Sequence, residues 1–367
     1  MDTTVDLDQF SALIARPEEE YRLAAEERWG ALERPRGGLG DLERLGSWLA
    51  AVQGRVPTRP VERARLMVFA GDHGVAALGV SALRPGDTAR RVRATLEGGT
   101  PAAVLARRFG ASVRVADLSV DADEDELPGA VARLKVRRGS ERIDRADAIT
   151  EAEAAQAFLA GVRLADEEAD AGTDLVVLGD LGVGSTTVAS ALIGALCGVD
   201  AASVTGRGSG IDDRTWMVKC ATVRDAMRRA RPLLGEPLRL LAASAGADYA
   251  AMTGFLLQCA VRRTPVLLDG VVSAACALVA QRIAFRSAEW WRAGQGTGEP
   301  AQAKAFERLG LEPLLEQRVS AGGGGGALMA LPLLTAASAL LAELPPAAVD
   351  GAGGSSVDGT DAGSDAT

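Results

Sequence analysis

The sequence predicts an α/β protein: a parallel sheet with helices packed on both faces. Two observations predict it. Four short, nearly continuous apolar runs each end at a polar turn: RLMVFAGDHG (Arg65–Gly74), SVRVADLSV (Ser112–Val120), TDLVVLGDLG (Thr173–Gly182) and RTPVLLDGVV (Arg263–Val272). Ala-rich stretches of helical length lie between them. Strands buried on both faces read as unbroken apolar runs, and alternation with helices makes each connection a crossover. Ligands of such sheets bind beyond the carboxyl ends of the strands, where these Gly/Asp turns fall.

Residues 1 to about 58 read as helical. Leu39, Leu42, Leu45, Trp48, Leu49 and Val52 recur at steps of three and four, which gives a helix one apolar face. DADEDELP (Asp121–Pro128) reads as an acidic surface loop. ALMALPLLTAASALLAEL (Ala327–Leu344) has the length of a short membrane span, but Pro332 interrupts it, Glu343 sits near its end and no Lys or Arg flanks it closely. It is expected to be a core helix, with no membrane partner. The remainder, 345–367, is Gly/Ala/Ser/Asp-rich and is expected to be disordered.

Composition excludes several classes. A formal charge of -9 argues against a nucleic-acid partner, which would call for a basic surface. One histidine, His73, excludes a His-rich metal site. Cys197, Cys220, Cys259 and Cys276 lack CxxC spacing and read as buried thiols in a reducing, cytoplasmic setting. The acidic start MDTTVDLDQF does not have the order of a secretory signal.

The most informative segment is the turn after the third strand. Gly179-Asp180-Leu181-Gly182-Val183-Gly184 leads into Ser185-Thr186-Thr187, which open an apolar helix. Glycines permit close backbone approach to a phosphate, and the helix N-terminus adds unpaired donors and partial positive charge. The Walker lysine is absent, and Thr187 stands where GxGxxG needs its third glycine. An ordinary Ser/Thr helix cap would leave the same pattern. A second segment, TGRGSGIDDRTWMVKC, sets Gly206, Gly208 and Gly210 before a helix that reaches Lys219, one of only three lysines. In VFAGDHGV, Asp72 and His73 close the first strand, where a lone histidine is more often structural.

In this order GDLGVGSTT, GRGSGIDD, TPVLLDGVVSAACALVA, FAGDHGVAALGVSA and LGLEPLLE…ALMALPLL resemble the nicotinate-nucleotide:dimethylbenzimidazole phosphoribosyltransferases, over about residues 7 to 344. RPRGGLGDLERL resembles a worn form of their KPxGSLGxLE signature. The resemblance implies a Rossmann-like three-layer domain, 59–290, with a small helical domain made of 1–58 and 291–344, assembled as a homodimer. It implies transfer of phosphoribose from nicotinate mononucleotide to dimethylbenzimidazole, giving α-ribazole 5′-phosphate and nicotinate for cobalamin biosynthesis. No metal or organic cofactor is implied.

Carried over by motif, the nucleotide side is Gly182, Gly184, Ser185, Thr186, Thr187, Gly208, Gly210 and Asp269, with Lys219 retained and Asp180 shortened from glutamate. The aromatic-base pocket is Ser81, Leu181 and Arg90, the last in place of glutamine, with Leu83 in place of tyrosine. Gln295 and Gln302 stand where relatives often carry histidine. The family's general base is the glutamate of GEGTG. Here the segment reads GGGGG (Gly322–Gly326), so Gly323 occupies the glutamate's place and Gly325 the threonine's. Loss of a general base costs about 10²–10⁴ in rate. Two outcomes stay open: an enzyme whose base is Asp180 or Glu316, or a non-catalytic nucleotide-binding relative.

Overall fold

The computed structural model describes residues 5–123 and 125–348. Five strands form one sheet: β1 (Ala64–Gly71), β2 (Ser112–Ser119), β3 (Leu175–Leu181), β4 (Val266–Leu268) and β5 (Trp291–Ala293). They are ordered β2-β1-β3-β4-β5 and every pairing is parallel. The predicted sheet is therefore present, and the order changes direction between β1 and β3. That position is where an open parallel sheet leaves a crevice at its carboxyl edge.

Side-chain alternation explains why both faces carry helices. Phe69 on β1 packs edge-on against Phe255 of the helix Ala247–Val261, ring centroids 5.4 Å apart, while Leu66 faces Gly324 on the other side. The helix Ala247–Val261 lies in turn on Glu151–Asp170, with no room for a side chain at two glycines. A Cβ at Gly161 would come 1.8 Å from the Ala251 carbonyl oxygen, and one at Gly254 would come 2.3 Å from that of Phe158. Thr150 starts Glu151–Asp170 with a complete capping box, exchanging hydrogen bonds with Glu153.

The chain ends meet. Helices Glu19–Ala31 and Asp41–Gln53 pack with Leu331–Glu343 around Ala25, Trp29, Leu32, Ala50 and Leu341. Arg28 donates to the carbonyls of Leu341 (2.6 Å) and Ala342 (3.1 Å), satisfying acceptors that a helix end leaves open. The apolar run Gly325–Glu343 is the one stretch among the described residues long and apolar enough to cross a membrane, yet 56% of its 18-residue core is buried in the protein and it breaks at Met329–Ala330.

Two sequence expectations need correction. The segment from 291 does not begin in a helical unit, because β5 extends the sheet and Pro300–Leu309 packs on Ser185–Cys197 and Gly270–Ile283. Residues 345–348 are also ordered. Leu32 and Pro346 form an antiparallel bridge, and Ala347 N–H donates to the Ala31 carbonyl at 2.9 Å. The rest of the tail, 349–367, lies outside the described residues. The four cysteines are unbridged, with Cys259 and Cys276 buried in the core.

Candidate active site

A cavity of about 330 Å³ opens at the carboxyl ends of β3 and β4, within the size range of small-molecule pockets. β3 delivers Asp180, followed by Gly182, Gly184, Ser185 and Thr186; β4 delivers Asp269, followed by Gly270 and Val271. Ser81, Leu83 and Arg91 come from the segment after β1, and Gly208 and Ser209 from the second glycine segment. Thr297, Glu299 and the stretch Val319–Gly322 complete the wall.

The phosphate-like end is built by backbone geometry. Gly184 has φ +90, a conformation costly for any residue with a Cβ, and it precedes the helix Ser185–Cys197 without a side-chain cap. Ser185 and Thr186, the first two residues of that helix, line the cavity, and N–H groups at such positions have no acceptor within their own helix. Opposite them, Lys219 is wholly buried. Its Nζ donates to Thr186 Oγ1 (2.9 Å) and to the Gly206 carbonyl (3.0 Å), tying the helix start to the second glycine segment. Burial pushes the Lys219 ammonium down to about 8, against the pull of Glu299. Glu299 Oε1 accepts from Gly208 N–H at 2.8 Å, and its buried Oε2 has no hydrogen-bond partner.

The other end holds two carboxyl groups and a guanidinium. Asp180 opens onto the cavity, and its Oδ2 accepts from Ser185 Oγ at 3.2 Å. Burial raises its pKa to about 6, with Arg91 and Ser185 opposing the rise. Burial likewise raises Asp269 to about 6. Its carboxylate is committed to the protein, accepting from Gln295 Nε2 (3.1 Å) and Gly326 N–H (3.2 Å), so it ties the end of β4 to the pentaglycine turn. Arg91 Nη2 donates to the Ala321 carbonyl at 2.8 Å.

Most of the predicted residues converge here, but several do not reach the cavity. Arg90 points outward and pairs with Asp87 at 2.8 Å, one helical step out of phase; Arg91 is the arginine on the wall. Leu181 is buried beneath the pentaglycine turn, 3.9 Å from a Cβ built at Gly323, and does not line the pocket. Thr187 is buried inside its helix, and Gly210 lies exposed beyond the rim. Glu316 is directed at Gly296, where a Cβ would come 2.3 Å from its Oε2. Gly323 itself sits just behind the wall at φ +70, with its Cβ direction toward Ala102 at 3.3 Å.

Asp72 and His73 prove to be scaffolding. Asp72 accepts from Val183 N–H (3.2 Å), Asp121 N–H (2.9 Å) and Thr88 Oγ1, which pins the first glycine turn. His73 is buried with Nε2 3.3 Å from Asp248 Oδ2. Burial works against its charged form, but Asp248, with Asp72 and Asp180, opposes it and the imidazole pKa is raised. Gln295 and Gln302 are also structural, linking the β5 exit to Val319 and Thr297. Arg91, Glu299 and Thr297 escaped the sequence reading. Helical phase was the available signal for Arg91, since it lies three residues after buried Thr88 and four before buried Thr95.

The chain matches a family model described as Phosphoribosyltransferase over residues 14–349. It is 62% identical over 344 residues to a nicotinate-nucleotide–dimethylbenzimidazole phosphoribosyltransferase of Streptomyces avermitilis, covering 94% of this chain and 92% of that protein. The protein of the same name from Mycobacterium tuberculosis is 48% identical over 350 residues, 95% of this chain and 96% of the other. Among solved structures, the nicotinate-nucleotide–dimethylbenzimidazole phosphoribosyltransferase of Thermus thermophilus superposes with a TM-score of 0.83 at 35% identity, covering 90% of this chain and 97% of that one. On these matches, which span most of both chains, the chain belongs to the nicotinate-nucleotide–dimethylbenzimidazole phosphoribosyltransferase family.

Proposed function

We propose that this chain transfers the phosphoribosyl group of nicotinate mononucleotide to dimethylbenzimidazole, with Asp180 as the general base in place of the missing glutamate. The phosphate is held by the N–H groups opening the helix Ser185–Cys197, by Thr186 and by the Gly208 turn, with Lys219 fixing the two against each other. Glu299, through its Oε1 on Gly208 N–H, holds the second glycine turn in place. The C1′–N bond to the pyridinium breaks, and its electron pair neutralises the ring nitrogen, so nicotinate leaves without an acid. One benzimidazole nitrogen forms the new bond to C1′, and the proton on the other passes to Asp180.

The observation that carries this reading is the Asp180 carboxyl, which opens on the cavity with a pKa of about 6. It is ionised at neutral pH and basic enough to accept a proton. Glu316 is turned away and Asp269 is engaged by two donors. The direct test incubates the full chain with nicotinate mononucleotide and dimethylbenzimidazole and follows nicotinate release together with α-ribazole 5′-phosphate. No release above the uncatalysed background rejects the activity. Assembly as a cytoplasmic homodimer belongs to the same reading, and sedimentation of the purified chain as a monomer would refute that part.

A further inference from the structure

We propose that Arg91 recognises the carboxylate of the nicotinate ring, which makes the cavity select the acidic pyridine nucleotide over its amide counterpart. This deepens the activity proposed above and rests on it. Arg91 stands on the wall between Asp180 and the stretch Val319–Gly322. One of its nitrogens is used, on the Ala321 carbonyl. Among the described residues no carboxylate forms an ion pair with it, whereas its helix neighbours Arg90 and Arg93 pair with Asp87 and Glu126.

A guanidinium on a cavity wall with one nitrogen held by a backbone carbonyl keeps further donors for a planar anion. The nucleotide phosphate has its own cradle at the Gly184 and Gly208 turns. The carboxylate that remains on the donor is on the pyridine ring, away from the nitrogen that bonds to ribose. An amide in that place offers a single neutral acceptor and brings N–H donors against guanidinium N–H groups. The contrast in charge-assisted hydrogen bonding corresponds to roughly 10- to 100-fold in affinity.

Calorimetry on the full chain with nicotinate and with nicotinamide tests this, using wild type, Arg91→Gln, Arg91→Lys and Arg90→Gln. Wild type and Arg90→Gln should prefer nicotinate by about 10- to 100-fold. Arg91→Gln should lose that preference by weakening nicotinate alone, and Arg91→Lys should retain part of it. Equal affinities in wild type overturn the assignment, and so does an equal loss for both ligands in a folded Arg91→Gln, since that marks a merely structural arginine. Turnover assays with the two mononucleotides separate the two readings. A nicotinate preference without any nucleotide turnover leaves Arg91 in its role and removes the transferase activity.

Discussion

The backbone N–H of Gly323 donates to the carbonyl of Asp180 at 3.0 Å. The turn that lacks the family's carboxylate is thus hydrogen-bonded to the strand residue whose own carboxyl opens on the cavity. Adjoining backbone thus presents a carboxyl to the cavity from 180, while a side chain at 323 would be directed at Ala102 and Leu181.

Asp180→Asn should lower kcat/KM by about 10²–10⁴, with the folded state intact. In wild type, kcat/KM should rise with pH through about 6 as this carboxyl ionises. The stability effect has the opposite sense. The native pKa lies above the ordinary carboxylate value, so stability is fully present below about 4 and declines as pH rises through 6. Asp180→Asn should therefore be as stable as wild type or more so at pH 8, by on the order of 1–2 kcal/mol. Paired rate profiles and thermal melts at pH 4 and pH 8 check both statements.

Lys219→Met should raise KM for the mononucleotide about tenfold or more while changing kcat less, because the two turns lose their common donor. Wild-type nucleotide affinity should fall above pH 8, where the buried ammonium gives up its proton. The native value lies below the ordinary lysine value, so folding stability attributable to this group increases between about pH 8 and 10.5. Isothermal titration at pH 7 and pH 9 reads the affinity change directly.

Gly323→Glu should not restore a faster enzyme. Its φ of +70 disfavours a side chain by about 1–2 kcal/mol, and the Cβ direction leads toward Ala102 and Leu181 rather than into the cavity. A melting temperature lower by a few degrees with kcat unchanged within about threefold is the expected outcome. A tenfold gain in kcat would return the role of base to position 323.

Gly179→Ala should be damaging, because Gly179 is buried directly against the pentaglycine turn. The added methyl would come 2.3 Å from the Gly323 carbonyl carbon and 2.6 Å from Gly324 N, so the turn must lift off β3. Overpacking of this kind costs about 1–3 kcal/mol. Displacing Val319–Gly322 should also cost about 10-fold or more in kcat/KM, since small misplacements of positioning groups have large rate effects. Steady-state kinetics beside a denaturation curve separate the two effects.

Much of this architecture was legible because its signals are local. β1 to β4 announce themselves as apolar runs that end at polar turns, and the turns after β3 and β4 are rims of the cavity. β5 was not legible, since three residues of Trp-Arg-Ala inside a segment rich in glycine carry no periodicity, and its pairing with β4 is a long-range fact. Arg91 and Arg90 differ by one step of helical phase, which motif matching by position does not register. Glu299 looked like an ordinary residue before a helix-starting proline, and only the fold brings it to Gly208. The pentaglycine turn shows the same limit. Its departure from the family pattern was plain in the letters, but the proximity of Asp180 depends on β3 passing beneath it.

The bridge between Leu32 and Pro346, with Arg28 on the end of Leu331–Glu343, places the amino-terminal helices in mechanical series with the reaction chamber. The pentaglycine turn is moored upstream through Asp269 and downstream through that last helix, so slack introduced at either mooring is transmitted to it. Loosening the Leu32–Pro346 bridge or the Arg28 contacts, far from the chamber, is thus an intervention on catalysis.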